Sequence, residues 1–203
     1  MKLHFVDNSL DTYKNTLVET HKRICATHPK LVSDPHEITI IDAPENPESP
    51  ITIIAPQFVY VLVLLHLGLK SSQERAIYQS AHEFTHCAFA FARGFPWVDD
   101  DIQLENNRKL RAEEIVSTAI SLCILKEQKT FEAYDYLINE LVNLKKKANK
   151  DLNNVCYSKG VDLALKYGFQ SEKIADLITE APDQSPDISE LLHQIDLNFK
   201  NQK

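Results

Sequence analysis

The sequence predicts an α+β fold, predominantly helical, with a small β-sheet near the start of the chain and a helical C-terminal half. Three observations carry this. The β-branched clusters Ile38-Thr39-Ile40-Ile41 and Ile51-Thr52-Ile53-Ile54 fall within the first 55 residues. Residues 72–92 then run without proline or glycine, long enough for a substantial helix. From residue 106 onward, apolar residues recur at helical spacing in successive segments. With 203 residues the chain can bury one ordinary core. It is expected to form a single domain over 1–203, with a core over about 1–128 and a helical extension over about 129–203.

In order, Asn8 or Ser9 is expected to cap a first helix reaching about Cys25, with Leu10, Tyr13, Leu17, Ile24 and Cys25 as its apolar stripe and His28-Pro29 closing it. Residues 37–41 and 51–54 read as two strands, joined by a loop that carries Pro44, Pro47 and Pro50. Pro56 suits a first helical turn, so 59–67 is expected to be a buried helix ending at Gly68. Ser71 with Glu74 three residues later forms a capping-box pattern for the next helix, which Gly94 and Pro96 end. Residues 94–101 read as a loop with Trp97 and the acids Asp99, Asp100 and Asp101. Helices are then expected over 106–126, 131–147, 151–167, 171–179 and 188–199, the last opened by Ser185-Pro186.

The helix over 72–93 carries Ser80-Ala81-His82-Glu83-Phe84-Thr85-His86-Cys87, which contains H-E-x-x-H. Positions i and i+4 share one helix face, so His82 and His86 can bind one ion together. Zinc takes nitrogen, sulfur or oxygen ligands in near-tetrahedral array, and a catalytic site leaves one position to water. Glu83, on the same stretch, is placed to take a proton from that water. His66 is expected to be a packed or half-exposed residue and not a third ligand.

The third ligand separates the zinc-protease classes. A metzincin needs a glycine at position 89 and a histidine at position 92; this chain has Phe89 and Ala92. The Gly-Cys-Leu setting of peptide deformylase is absent. An aspartate from Asp99, Asp100 or Asp101 is a possible ligand of the aspzincin kind, though the motif that flanks it in that class is missing. A glutamate from a downstream helix remains, the gluzincin arrangement, with Glu113 and Glu114 as candidates. Glu113-Glu114-Ile115-Val116-Ser117-Thr118 is similar to the Asn-Glu-x-x-Ser-Asp box of thermolysin-like proteases. That resemblance puts Glu114 on the metal, keeps Ser117, and replaces with Thr118 the aspartate that orients the first histidine. Helix periodicity speaks for Glu113, which shares a face with Val116, Ile120 and Ile124. Glu114 is the choice on the local pattern, with Glu113 its competitor.

A β-rich stretch, then residues 75–86, then a Glu-bearing helix resembles the ImmA/IrrE family, over about residues 51–124. The chain has Phe84-Thr85 where that family often has Leu-Gly. The resemblance implies a small cytosolic zincin-like metallopeptidase with Zn2+ as cofactor and a protein or peptide substrate, acting on transcriptional repressors. The expected ligands are His82, His86 and Glu114, with Glu83 as general base and Tyr134, Tyr157, Tyr167 or His193 as oxyanion donor. A zincin-like binding module without turnover is the alternative, and a metal-free helical interaction protein a third reading.

A formal charge of −7 argues against a nucleic-acid backbone as partner. Lys145, Lys146 and Lys147 read as a solvated helix face. The apolar run over 58–69 is shorter than the about twenty residues a membrane span takes. Residues 1–8 lack the apolar stretch of a signal peptide. Four scattered cysteines suit a reducing cytoplasm. Phe84, Phe89, Phe91, Phe95 and Trp97 line either a cleft or the core.

Overall fold

The computed structural model describes residues 2–27, 37–46, 50–55, 60–68, 70–92, 108–148, 151–178 and 182–200. Among these, four strands and seven α-helices form a mostly helical α+β fold. The strands are β1 (Lys2–Phe5), β2 (Glu37–Asp42), β3 (Ile51–Ala55) and β4 (Tyr60–Leu65). The helices are α1 (Lys14–Thr27), α2 (Gln73–Ala92), α3 (Arg108–Glu127), α4 (Phe131–Lys147), α5 (Leu152–Lys166), α6 (Ser171–Ala175) and α7 (Pro186–Lys200).

The sheet order is β1-β2-β4-β3. β1 and β2 pair in parallel, as do β2 and β4. β3 returns antiparallel on β4, with Thr52 opposite Val63 and Ile53 opposite Leu62. The expected helix over 59–67 is therefore a strand. Val61, Val63 and Leu65 are fully buried and Leu64 nearly so. A strand with both faces covered loses its polar alternation, and a short apolar run then reads equally well as a buried helix. Three residues past its end at Leu65, Gly68 has φ 63°, a left-handed backbone that glycine adopts without a Cβ penalty. The strands over 37–41 and 51–54 were expected to be joined by a loop; β4 lies between them in the sheet. β1 is an addition that the sequence reading did not contain.

The helical elements follow the sequence more closely. The first helix is preceded by a 3-10 turn over Asn8–Leu10, whose first free N–H is accepted by Asp7 rather than by Asn8 or Ser9. Leu10, Tyr13, Leu17, Ile24 and Cys25 are buried as their stripe predicts. α2 is capped by Ser72, whose Oγ accepts from Arg75 N–H at 3.1 Å. The cap thus sits one residue after Ser71, whose Oγ donates to the Leu67 carbonyl, and Glu74 is not at the capping-box position. Thr130 and Asp151 cap α4 and α5 through Ala133 N–H and Asn154 N–H. Pro186 opens α7. α6 stops at Ala175, short of residue 179. His28-Pro29, Pro56, and the loop over 94–101 with Phe95, Trp97 and its aspartates lie outside the described residues.

One buried apolar cluster runs from Leu10 to Ile195. Phe84, Phe89 and Phe91 belong to it, so these three rings are core. α3 is the central helix of the layer, with Ile115, Val116, Ala119, Ile120, Cys123 and Ile124 at most 1 % exposed. It approaches α5 closely at Gly160, where a Cβ would lie 2.5 Å from Thr118 Cβ and 2.8 Å from the Ile115 carbonyl oxygen.

Candidate metal centre

α2 and α3 pack against each other inside the core and bring the motif together with the downstream glutamates. Ala76, Ala81 and Ala88 of α2 are buried, and so are Ala112 and Ala119 of α3; small residues let two helices approach closely. Ser80 Oγ and Thr85 Oγ1 bond back to the carbonyls of Ala76 and Ala81, so the motif helix buries its hydroxyls without outside partners.

His82 and His86 face each other one turn apart, their Nε2 atoms 3.2 Å from one another. Glu114 reaches both from α3. Its Oε2 lies 3.2 Å from His82 Nε2 and its Oε1 3.4 Å from His86 Nε2. Among the described residues these three form the group able to hold a metal ion. The donor set fits zinc. Ligand bonds of about 2.0–2.1 Å in a tetrahedron put donors about 3.3 Å apart, the spacing seen for these three pairs. Two imidazoles and one carboxylate are also a ligand set known from catalytic zinc sites. Glu114 Oε2 is buried and finds no aligned hydrogen-bond donor despite its short distance to His82, and a buried carboxylate oxygen in that position suits a cation. Burial pushes the Glu114 carboxyl up, but the two imidazoles outweigh it and hold the acid well below the usual carboxylate range.

Glu113 does not join this group. Its Oε2 lies 3.8 Å from His86 Nδ1, the ring nitrogen turned away from the cluster. The two adjacent acids therefore address opposite sides of the imidazole layer. Glu113 is 2 % exposed and shares the core face with Val116 and Ile120, as periodicity indicates. Glu114, one position on, reaches the Nε2 atoms. Thr118, in the place of the orienting aspartate of the thermolysin-like box, packs on Gly160 and its Oγ1 makes no hydrogen bond.

Glu83 is 3 % exposed. Burial pushes its carboxyl up, against the opposing pull of His82, His86 and a hydrogen bond from Thr52. Thr52 Oγ1 lies 2.7 Å from Glu83 Oε2 and 3.1 Å from the Glu83 carbonyl oxygen, within donating distance of either. Thr52 belongs to β3, so the outer strand is tied to the motif helix at this residue. Of the four oxyanion candidates, Tyr157 on α5 stands at the site, its ring edge-on to His82 with centroids 5.8 Å apart. Burial first, then Glu114 and Glu83, keep its phenol protonated well above the usual range. Tyr134 and His193 are exposed, and Tyr167 donates to Asp187. His66 is half-buried, and its backbone N–H and carbonyl bond to the Gln79 side chain.

The sequence reading missed Thr52 and left Tyr157 unselected. A threonine inside an otherwise aliphatic strand was the available signal for the first. For the second there was none, since nothing local tells which tyrosine of the helical half meets α2. Among the described residues no helix is long and apolar enough to cross a membrane. No protein-family model, curated protein or solved structure matches this chain.

Proposed function

We propose that this chain is a zinc-dependent peptidase of gluzincin type acting on an intracellular protein or peptide substrate. The observation that carries the reading is the convergence of His82, His86 and Glu114 on one point, with the buried carboxylate of Glu83 beside them. When bound, zinc supplies Lewis acidity and lowers the pKa of a coordinated water.

The chain's own groups supply the rest. Glu83, its carboxyl raised by burial, accepts a proton from the attacking water and returns it to the leaving amine. Thr52 fixes the Glu83 carboxylate through Oε2. Tyr157 keeps its phenolic proton and donates to the oxygen of the scissile carbonyl as charge builds there. Glu113 holds the His86 ring from the Nδ1 side. β3 pairs with β4 on one edge; an extended peptide added to its other edge would lie next to Thr52 and Glu83. In this reading 1–203 is one domain, with its catalytic core in 1–128 and an extension over 129–203 that contributes Tyr157. Four free, buried cysteines suit a reducing compartment. The resemblance to ImmA/IrrE proteins favours a transcriptional repressor as substrate.

The test is to incubate zinc-loaded protein with unfolded protein substrates and to read new N-termini by mass spectrometry. Wild type is expected to cut. Glu83→Gln, with zinc still bound, is expected to cut about 10²–10⁴-fold more slowly. Equal cutting by both proteins removes Glu83 as base, and no cutting by zinc-loaded wild type favours the binding module.

A further inference from the structure

We propose that the outer face of α4 pairs antiparallel with the same face of a second copy of this chain. Eight large apolar residues are exposed among the described ones, and four of them lie on this helix: Phe131 at 81 %, Tyr134 at 44 %, Ile138 at 59 % and Val142 at 44 %. Their spacings of three, four and four residues put them on one stripe. The opposite face is already used, with Ala133, Leu137 and Leu144 in the core. The stripe is therefore surplus to the fold. Contiguous exposed apolar surface of this kind marks an interaction site.

Charge identifies the occupant. At about 100° per residue, Glu132, Asp135, Asn139 and Lys146 flank the stripe on one side. All four are exposed, and Asn139 Nδ2 donates to Asp135. The acids stand at the start of the helix and the lysine at its end. In an antiparallel symmetric pair this flank meets its own copy. When Tyr134, Ile138 and Val142 face Val142, Ile138 and Tyr134, Lys146 lands about 3 Å along the axis from Glu132 and about 7.5 Å from Asp135, within a lysine's reach. In a parallel two-fold pair this flank would face the other side of the partner's stripe, and its acids and lysine would not meet. The helix is thus complementary to itself in one orientation, the condition for a two-fold interface. A single helix pair buries less than the about 800 Å² per partner of a standard interface, so the association is a weak one.

The test is sedimentation equilibrium of the full chain over about 1–500 µM, a span that brackets a micromolar dissociation constant. The wild-type mass is expected to rise from 23.2 kDa toward twice that. Ile138→Asp is expected to hold it at one chain throughout, with unchanged helicity; Val142→Lys serves if that variant does not fold. Asp135→Lys and Lys146→Glu are each expected to weaken the dimer about 3- to 10-fold, in line with one to two ion pairs. The double exchange combined with Glu132→Lys, which reverses every charge on the flank, restores it. The proposal is overturned by a wild type that stays at one chain, by a dimer indifferent to both stripe variants, or by a triple exchange weaker than either single one.

Discussion

Two helices of this protein carry a pair of potential ligands at the same spacing and make opposite things of it. On α1, His21 and Cys25 stand four residues apart with Sγ 3.4 Å from Nε2. On α2, His82 and His86 stand four apart with Nε2 atoms 3.2 Å from each other. His21 meets the edge of Phe84, with ring centroids 5.4 Å apart. Burial lowers its pKa to about 4, so it is a neutral packing residue at ordinary pH. His82 and His86 meet two carboxylates from α3 instead. The i, i+4 spacing is therefore not itself a site. An acid delivered from a second helix turns stacked side chains into a ligand set.

Replacing one member of each pair should break the comparison most sharply. His86→Ala is expected to lower zinc affinity by roughly three orders of magnitude or more, because each ligand carries several of the about 10–16 kcal/mol of a structural-strength site. His21→Ala should leave affinity unchanged; isothermal titration with zinc and a competing chelator measures both.

Next in size is the acid response of His21. Its folded pKa lies below its unfolded one, so the unfolded chain binds more protons between about 6.5 and about 4. Its contribution is complete above 6.5 and is lost as pH falls toward 4. At about 1.4 kcal/mol per pKa unit the loss amounts to about 3 kcal/mol. Urea unfolding of His21→Leu against wild type from pH 7 to 4 should show the difference between them shift by that amount in favour of the variant. A constant difference would mean that His21 is not buried neutral.

Glu113 sharpens the comparison from the α3 side. Glu113→Gln is expected to weaken zinc about 10- to 100-fold, the usual effect of losing a partner behind a ligating histidine. An effect equal to that of Glu114→Gln would make the two acids interchangeable and undo the assignment of separate roles. The smallest effect belongs to the packing that holds α3 in place. Gly160→Ala forces a Cβ against Thr118 and the Ile115 carbonyl. It is expected to cost about 1–3 kcal/mol in thermal or denaturant unfolding, and a neutral outcome would mean that α5 can shift without penalty.

Much of this was legible before the fold. H-E-x-x-H placed itself on α2 through the absence of helix breakers and the small residues around it. The local pattern singled out Glu114, which lies with the two histidines, and the helices over 131–147 and 151–167 were read close to their observed bounds. The residues that escaped did so for physical reasons. Tyr60–Leu65 is apolar on both faces, and periodicity cannot tell such a strand from a helix. β1 is four residues long, and its pairing partner β2 begins thirty-odd residues away. Thr52 and Tyr157 reach the site across 31 and 75 residues of chain from Glu83 and His82, separations at which one sequence carries no local signal. Glu113 was legible as a buried acid, but its partner was not, because one residue along a helix turns a side chain by about 100°.

The most direct measurement is zinc content per chain, by mass spectrometry of the intact protein after removal of loosely held metal. One zinc is expected in wild type, in Glu83→Gln and in His21→Ala, and none in His82→Ala or Glu114→Gln. A wild type without zinc, or a Glu114→Gln variant that keeps it, would contradict the claim that these two helices build a metal centre.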